Sequence, residues 1–550
     1  MSLFIKKSGL KLAILSAGLG LASILFSSAY ASNQTSPLGT NTNELNEEDS
    51  SVPFVDLFRS ALPFEDARPW MTGANVQLDA DGWPSRLNGQ IAGSRFLSNL
   101  PAKAIPEGNY TVLYDGVGKM QYGGDAKIIS SQPGRDIIQL TPGADNKYDG
   151  SLRIRESDPR NYVRNIRILP PGGICANNPF QRVGGPQACR GNYQAFATHY
   201  AQILFNPDYL NYMKDFKVIR FMNMAGISNN PQRSWNQRQK VTDATWGGKQ
   251  ENRGAPIEIQ IELANRLNAH PWFTLHHAAD NGYVHNFANL VRQKLRGNLR
   301  PHIEYSNETW NFIFLQGNYV RDQGMARQLD TNKNRAGYRY YSERSVEIFK
   351  IWERVFGGPQ RLVRILSGWT ISKDVAETIL SHKDAYKHAD AFAIAPYFFG
   401  DHNSIRLVRN LNQAFDLITN DQYRYSINNT LKFIKEQKAI ADKYGVKLMA
   451  YEGGQGLVDF KTKHDMEMPN PILYQANRHP RMEQFYNQFL QGWKQAGGTL
   501  FAHYSSPRTY RRYGSWGSKE YITQPLSQAP KHRALLNFNR RNPCWWQGCR

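Results

Sequence analysis

Beyond residue 160, short apolar and β-branched runs alternate with longer stretches in which apolar residues recur every three or four positions. The short runs read as strands buried on both faces, and the longer stretches as amphipathic helices. In order, the strands are 163–169 (VRNIRIL), 218–222 (VIRFM), 272–275 (WFTL), 302–305 (HIEY), 362–366 (LVRIL), 391–395 (AFAIA), 447–451 (KLMAY) and 499–504 (TLFAHY). Helical stretches among them include 209–216, 257–267, 284–295, 338–355 and 431–444. Eight strands, each followed by a helix-capable connection, predict a (β/α)8 TIM barrel. An open doubly wound sheet is the rival. However, no G-x-G-x-x-G or G-x-x-x-x-G-K-[ST] phosphate loop follows any of these strands.

Residues 53–160 have a different rhythm. Strand-like runs such as 109–115 (NYTVLYD), 136–140 (DIIQL) and 151–155 (SLRIR) are separated by Gly116, Gly118 and Asp149-Gly150. That spacing predicts an antiparallel β-sandwich. Its aromatics, among them Trp70, Trp83 and Tyr114, serve either a core or a sugar-binding face. Residues 32–52 are polar, acidic and nearly free of large apolar side chains, so they read as a disordered linker. At the start of the chain, Lys6, Lys7 and Lys11 lead into an apolar run that ends near the small-residue site Ala29-Tyr30-Ala31. This is the layout of a secretory signal peptide over 1–31, with an uncleaved anchor as the rival. The expected organisation is therefore a leader (1–31), a linker (32–52), a β-sandwich (53–160), a barrel (161–525) and a basic tail (526–550). The mature chain is expected to be secreted or periplasmic and to have no transmembrane helix.

The four cysteines fall into two local pairs, Cys175 with Cys189 and Cys544 with Cys549, the simplest pattern for two short-loop disulfides in an oxidising compartment. Neither pair has metal-ligand spacing. Net charge is +21, and only three of the positive charges lie in the leader. A basic exported protein attracts polyanions, acidic polysaccharides among them. The RTYRR run at 508–512 and Arg540-Arg541 either contact such a partner or form a solvated face.

Active sites of TIM barrels lie at the C-terminal ends of the strands, so the strand tips carry the candidate chemistry. The second strand ends in Arg220 and the third in His276-His277, with Asp280 just beyond. The fourth ends in Asn307-Glu308, and the sixth runs into Tyr397. The seventh ends at Glu452, and the eighth ends in His503-Tyr504. Two glutamates at the fourth and seventh tips face each other across the barrel mouth. Glycosidic cleavage uses such a pair, one carboxylic acid to protonate the leaving oxygen and one carboxylate to attack.

In order and position these tips resemble the clan A retaining glycoside hydrolases. The resemblance implies Glu308 as acid/base and Glu452 as nucleophile, with Asn307, Arg220 and Tyr397 supporting them. Two departures stand out: Thr309 where many members have Pro, and His503-Tyr504 where many have Trp, with Trp516 further on as a substitute. The expected partner is a polysaccharide or oligosaccharide, with an acidic one favoured by the charge. No nucleic acid, metal or organic cofactor is expected. A non-catalytic carbohydrate-binding or matrix-associated protein on the same barrel is the alternative.

Several further residues are open to two readings. Glu304 reads as a structural partner for an arginine. His276 and His277 read as sugar-hydroxyl contacts more readily than as metal ligands. Trp235 and Trp246, in the polar loop after the second strand, are expected to contact substrate, whereas Trp272 and Trp310 are either stacking platforms or core. The loop at 544–549 (CWWQGC) is either a sugar platform or a clip that packs the tail. No G-x-S-x-G elbow supports serine catalysis. A polysaccharide lyase would fit the charge but has no need of the glutamate pair.

Overall fold

The computed structural model describes residues 33–549 apart from 69 and 71. The leader expected at 1–31 lies outside the described residues. Eight parallel strands close into one barrel. They are β1 (Leu38–Asn41), β2 (Val218–Arg220), β3 (His270–Leu275), β4 (His302–Tyr305), β5 (Val363–Ser367), β6 (Ala391–Ile394), β7 (Lys447–Ala450) and β8 (Phe501–His503). From β2 to β8 the strands fall where the apolar runs predicted them.

The first strand does not. Residues 163–169 belong to an antiparallel sheet, where Arg167 pairs with Leu113 and Leu169 with Thr111. The barrel is closed instead by a segment expected to be a disordered linker. Gly39 of β1 pairs with Val218 of β2, and Thr40 pairs with His503 of β8. Leu38 and Leu45, two of the few apolar residues there, are buried. Three of the four acids that made the segment look disordered are paired: Glu44 with Arg508, Glu48 with Arg511, and Glu47 with Arg95 at 2.7 Å. Much of the RTYRR run is therefore neutralised internally.

Period-two alternation sorts each barrel strand between two environments. Val218, Trp272, Ile365, Ala393, Met449 and Tyr451 fill the interior. Ile219, Phe273, Ile303, Phe392 and Leu448 face the helix layer. That layer includes helices Ile257–Leu267, Asn281–Lys294, Lys333–Phe356 and Ile427–Lys443. No helix among the described residues is long and apolar enough to cross a membrane.

Between β1 and β2 the chain builds an all-β region. Its strands form two four-stranded sheets, one around Ala92–Pro101 and Lys147–Ser157 and the other around Gly108–Asp115 and Arg135–Leu140. A three-stranded sheet follows, ending at Tyr193–Ala195, so this region runs past the expected limit of 160. The Cys175–Cys189 disulfide joins this last part. The tail is equally integral. Helix Pro530–Arg541 packs Leu535 and Phe538 into the core.

The Cys544–Cys549 disulfide closes a loop at the N-terminal end of the barrel. There Cys544 N–H donates to the Thr35 carbonyl, Trp545 Nε1 to the Gly498 carbonyl at 3.1 Å, and Lys447 Nζ to the Gln547 carbonyl at 2.9 Å. Its two indoles are therefore a clip at the end of the barrel opposite the strand tips.

Candidate active site

Arg220 organises the barrel mouth. As the last residue of β2 it points inward and is completely buried. Its Nε donates to Glu304 Oε2 at 3.0 Å, Nη1 to Glu452 Oε1 and Asn41 Oδ1, both at 3.0 Å, and Nη2 to Asn307 Oδ1 at 2.9 Å. Burial lowers its pKa, but Glu304 and Glu452 outweigh that, and the guanidinium is held above its ordinary value. A buried charge persists only when its donors are satisfied, and here the planar fork serves four acceptors. Glu304 is the structural partner expected of it, taking Trp272 Nε1 at 3.0 Å and Ser367 Oγ at 2.8 Å as well.

Glu452, at the tip of β7, is 6% exposed. Tyr397 donates to its Oε2 at 2.9 Å. A short parallel ribbon, in which Tyr397 pairs with Gly454 and Phe398 with Gln455, aligns the two tips. Burial raises the Glu452 pKa, while Arg220 and Tyr397 pull it back.

Glu308 sits in a different environment. The chain leaves β4 through two residues in left-handed conformations, Ser306 at φ 58° and Glu308 at φ 42°. Non-glycine residues hold such angles only where the surroundings impose them, at roughly 1–3 kcal/mol each. Tyr451 Oη donates to Glu308 Oε1 at 3.2 Å and Asn311 Nδ2 to Oε2 at 3.0 Å. Among the described residues, no cation forms an ion pair with it. Burial, then the Glu452 charge, pushes the carboxyl up to about 7. The pair is thus electrostatically unequal: both carboxyls are raised by burial, and Arg220 bonds directly to Glu452 and not to Glu308.

Other residues of this network were not singled out from sequence. Asn41, in the supposed linker, holds Arg220 and donates to the Tyr451 carbonyl at 2.9 Å. Tyr451 bridges to Glu308 and accepts Trp310 Nε1 at 3.1 Å. Trp369, just beyond β5, stacks on Trp310. The period-two rule points Tyr451 inward and was available as a signal. For Asn41 there was none. On the Glu452 side, Trp516 packs edge-on against Tyr397 at 5.4 Å and Tyr504 at 5.7 Å, and Arg508 donates to Tyr504 Oη at 3.3 Å. Nearby Glu251 is pushed up to about 8 by burial and by Glu44, and accepts Asn223 Nδ2 at 2.9 Å.

The remaining candidates are placed otherwise. His276 is buried against the Asn230 carbonyl at 3.1 Å, and His277 is buried beside Tyr319. Burial lowers both to about 4, so both are neutral. Asp280 caps the following helix through Tyr283 N–H, and among the described residues no group of three or more side chains could hold a metal. His503 is fully buried, contacts Tyr486 Oη at 3.3 Å and is lowered to about 3 by burial. Trp246, expected to be exposed, is 1% exposed, packed on Phe54 under the Arg59 guanidinium. Trp235 lies half-buried between Tyr283 and Arg238. The loop that carries these two tryptophans is polar in sequence, but it folds back over the all-β region.

No protein-family model matches the chain, and no curated protein does. Among solved structures, the chain is similar to a 4-O-α-L-rhamnosyl-β-D-glucuronidase from Fusarium oxysporum at 11% identity and TM-score 0.38, covering 60% of this chain and 64% of that one. A β-glucosidase from Thermotoga maritima matches at 9% identity and TM-score 0.36, covering 61% and 86% respectively. A modular endo-β-1,4-mannanase from Cellulomonas fimi matches at 11% and TM-score 0.34, covering 58% and 62%. Likenesses this distant leave the chemistry of the barrel mouth to its own geometry.

Proposed function

We propose that the protein is an exported retaining glycoside hydrolase acting on a polysaccharide or oligosaccharide. One observation carries the reading. A half-buried glutamate just beyond β4 and a buried one just beyond β7 lie within one hydrogen-bonded network, and of the two it is Glu452 that bonds to a cation. In the first step Glu308 protonates the leaving oxygen while the Glu452 carboxylate attacks the anomeric carbon, breaking the glycosidic bond and forming a glycosyl ester. In the second, the Glu308 carboxylate takes a proton from water, whose oxygen attacks the same carbon and releases Glu452. Arg220 and Tyr397 keep Glu452 ionised and fix its rotamer, and Asn307, held by Arg220, is the residue proposed to meet a sugar hydroxyl. The two disulfides and the sequence of 1–31 support export. The net charge of +21 supports an acidic glycan.

The test is release of reducing ends by the chain from Ser32 onward against acidic and neutral polysaccharides, with Glu308→Gln and Glu452→Gln alongside. Proton NMR of the first anomer formed reads the stereochemistry. Turnover with retained configuration that both variants lose is expected. Turnover that survives both variants would move the chemistry elsewhere, to a lyase-type site. Binding without turnover in all three proteins would make this a carbohydrate-binding protein.

A further inference from the structure

Trp369 is 39% exposed, an unusual position for an indole. It follows β5 in the loop at the barrel mouth, and its ring lies 9° from parallel to that of Trp310, with centroids 5.4 Å apart. Trp310 is anchored in turn. Its Nε1 donates to Tyr451 Oη, and Tyr451 donates to Glu308. An exposed indole is thus joined to the Glu308 carboxyl through two side chains.

The platform is also rigid. Gln437 Nε2 donates to the Trp369 carbonyl at 3.4 Å and to the Thr370 carbonyl at 3.0 Å, and Gly368 N–H donates to the Ala393 carbonyl at 3.0 Å. A Cβ at Gly368 would come within 2.7 Å of the Phe392 ring, so the chain passes close to β6 at this point. A flat apolar surface held this way loses little freedom when it binds a partner. Two aromatic walls flank the mouth, Trp310 and Trp369 on the Glu308 side and Trp516 with Tyr504 on the Glu452 side.

From this geometry we propose that Trp369, backed by Trp310, is the binding platform for a pyranose ring on the leaving-group side of the scissile bond. This rests on the assignment of Glu308 as the acid, because the acid stands beside the leaving oxygen. A pyranose presents a face of C–H groups to the indole, and its hydroxyl edge remains in water. The leaving group is therefore a sugar, and the substrate extends past the cleaved bond in that direction.

The experiment compares wild type, Trp369→Ala and Trp369→Phe on two kinds of substrate: the glycan that wild type cleaves, and an aryl glycoside of the same glycone, which has no leaving-side sugar. Trp369→Ala is expected to lower kcat/KM on the glycan about tenfold more than on the aryl glycoside, with Trp369→Phe between. Equal losses on both substrates, or none on either, would overturn the platform. Binding of cellohexaose, mannohexaose, xylohexaose and a hexauronate to Glu308→Gln, with and without Trp369→Ala, is measured by calorimetry. This arm separates the platform from the hydrolase reading. Weaker binding on losing Trp369 supports the platform even if wild type cleaves nothing, whereas binding indifferent to Trp369, or no binding of any probe, refutes it.

Discussion

Glu308→Gln is expected to make the protein inactive and more stable at once. The Glu308 carboxyl ionises at 4.5 in the absence of its surroundings and at about 7 within the fold. Between those values the native state keeps a proton that the unfolded chain has released. Stability therefore falls as pH rises through this window, and the penalty is absent below about pH 4.5. At ~1.36 kcal/mol per pH unit, the gap amounts to roughly 3 kcal/mol by pH 8. Glutamine keeps the shape of the side chain and cannot ionise, so the variant escapes the penalty. With an unfolding entropy of ~2.1 cal/mol/K per residue, a chain of this length should gain roughly 3 °C in Tm. Differential scanning calorimetry of both proteins at pH 5 and pH 8 measures this, with reducing-end release read on the same samples. A shared Tm near pH 5 and a higher one for the variant at pH 8 are expected. A variant that melts with wild type at pH 8, or below it, would refute the placement of the proton on Glu308.

Tyr397→Phe removes a charge-assisted bond to Glu452 worth ~1.5–3 kcal/mol, so kcat/KM should fall roughly 10- to 100-fold. That bond lowers the Glu452 pKa, and without it the acidic limb of the pH profile should move to higher pH; a limb that stays in place counts against the role. Deleting residues 32–52 removes β1 and two acids that pair with Arg508 and Arg511. Loss of soluble, cooperatively melting protein is expected, and a truncated chain that melts like wild type would show the segment to be dispensable. Cys175→Ser opens a disulfide spanning 14 residues, which should cost about 3 kcal/mol in urea unfolding of the all-β region, with catalysis retained.

The strands from β2 to β8 were legible because each is apolar, short and set between amphipathic stretches. Glu308, Glu452, Arg220, Asn307 and Tyr397 were legible because they terminate those strands. The first strand was not. It has only four residues; Asn41 faces the polar mouth of the barrel and Thr40 lies on the opposite face, and both are fully buried without looking apolar. Run 163–169 looked like a better strand and is one, in another sheet. Local pattern reports that a segment is extended and buried, whereas its partners are chosen by contacts hundreds of residues away.

The same division holds at the site. Chain order and the twofold alternation of strands were enough to bring two glutamates to one end of one barrel. Their unequal surroundings were not in the pattern, because Arg220 bonds to one carboxylate and not the other. Nor could local pattern separate Trp369, partly exposed and stacked on Trp310, from Trp246, sealed under Arg59. Whether an indole binds a ligand or fills a core depends on what folds back over it, and that follows from packing across the whole chain.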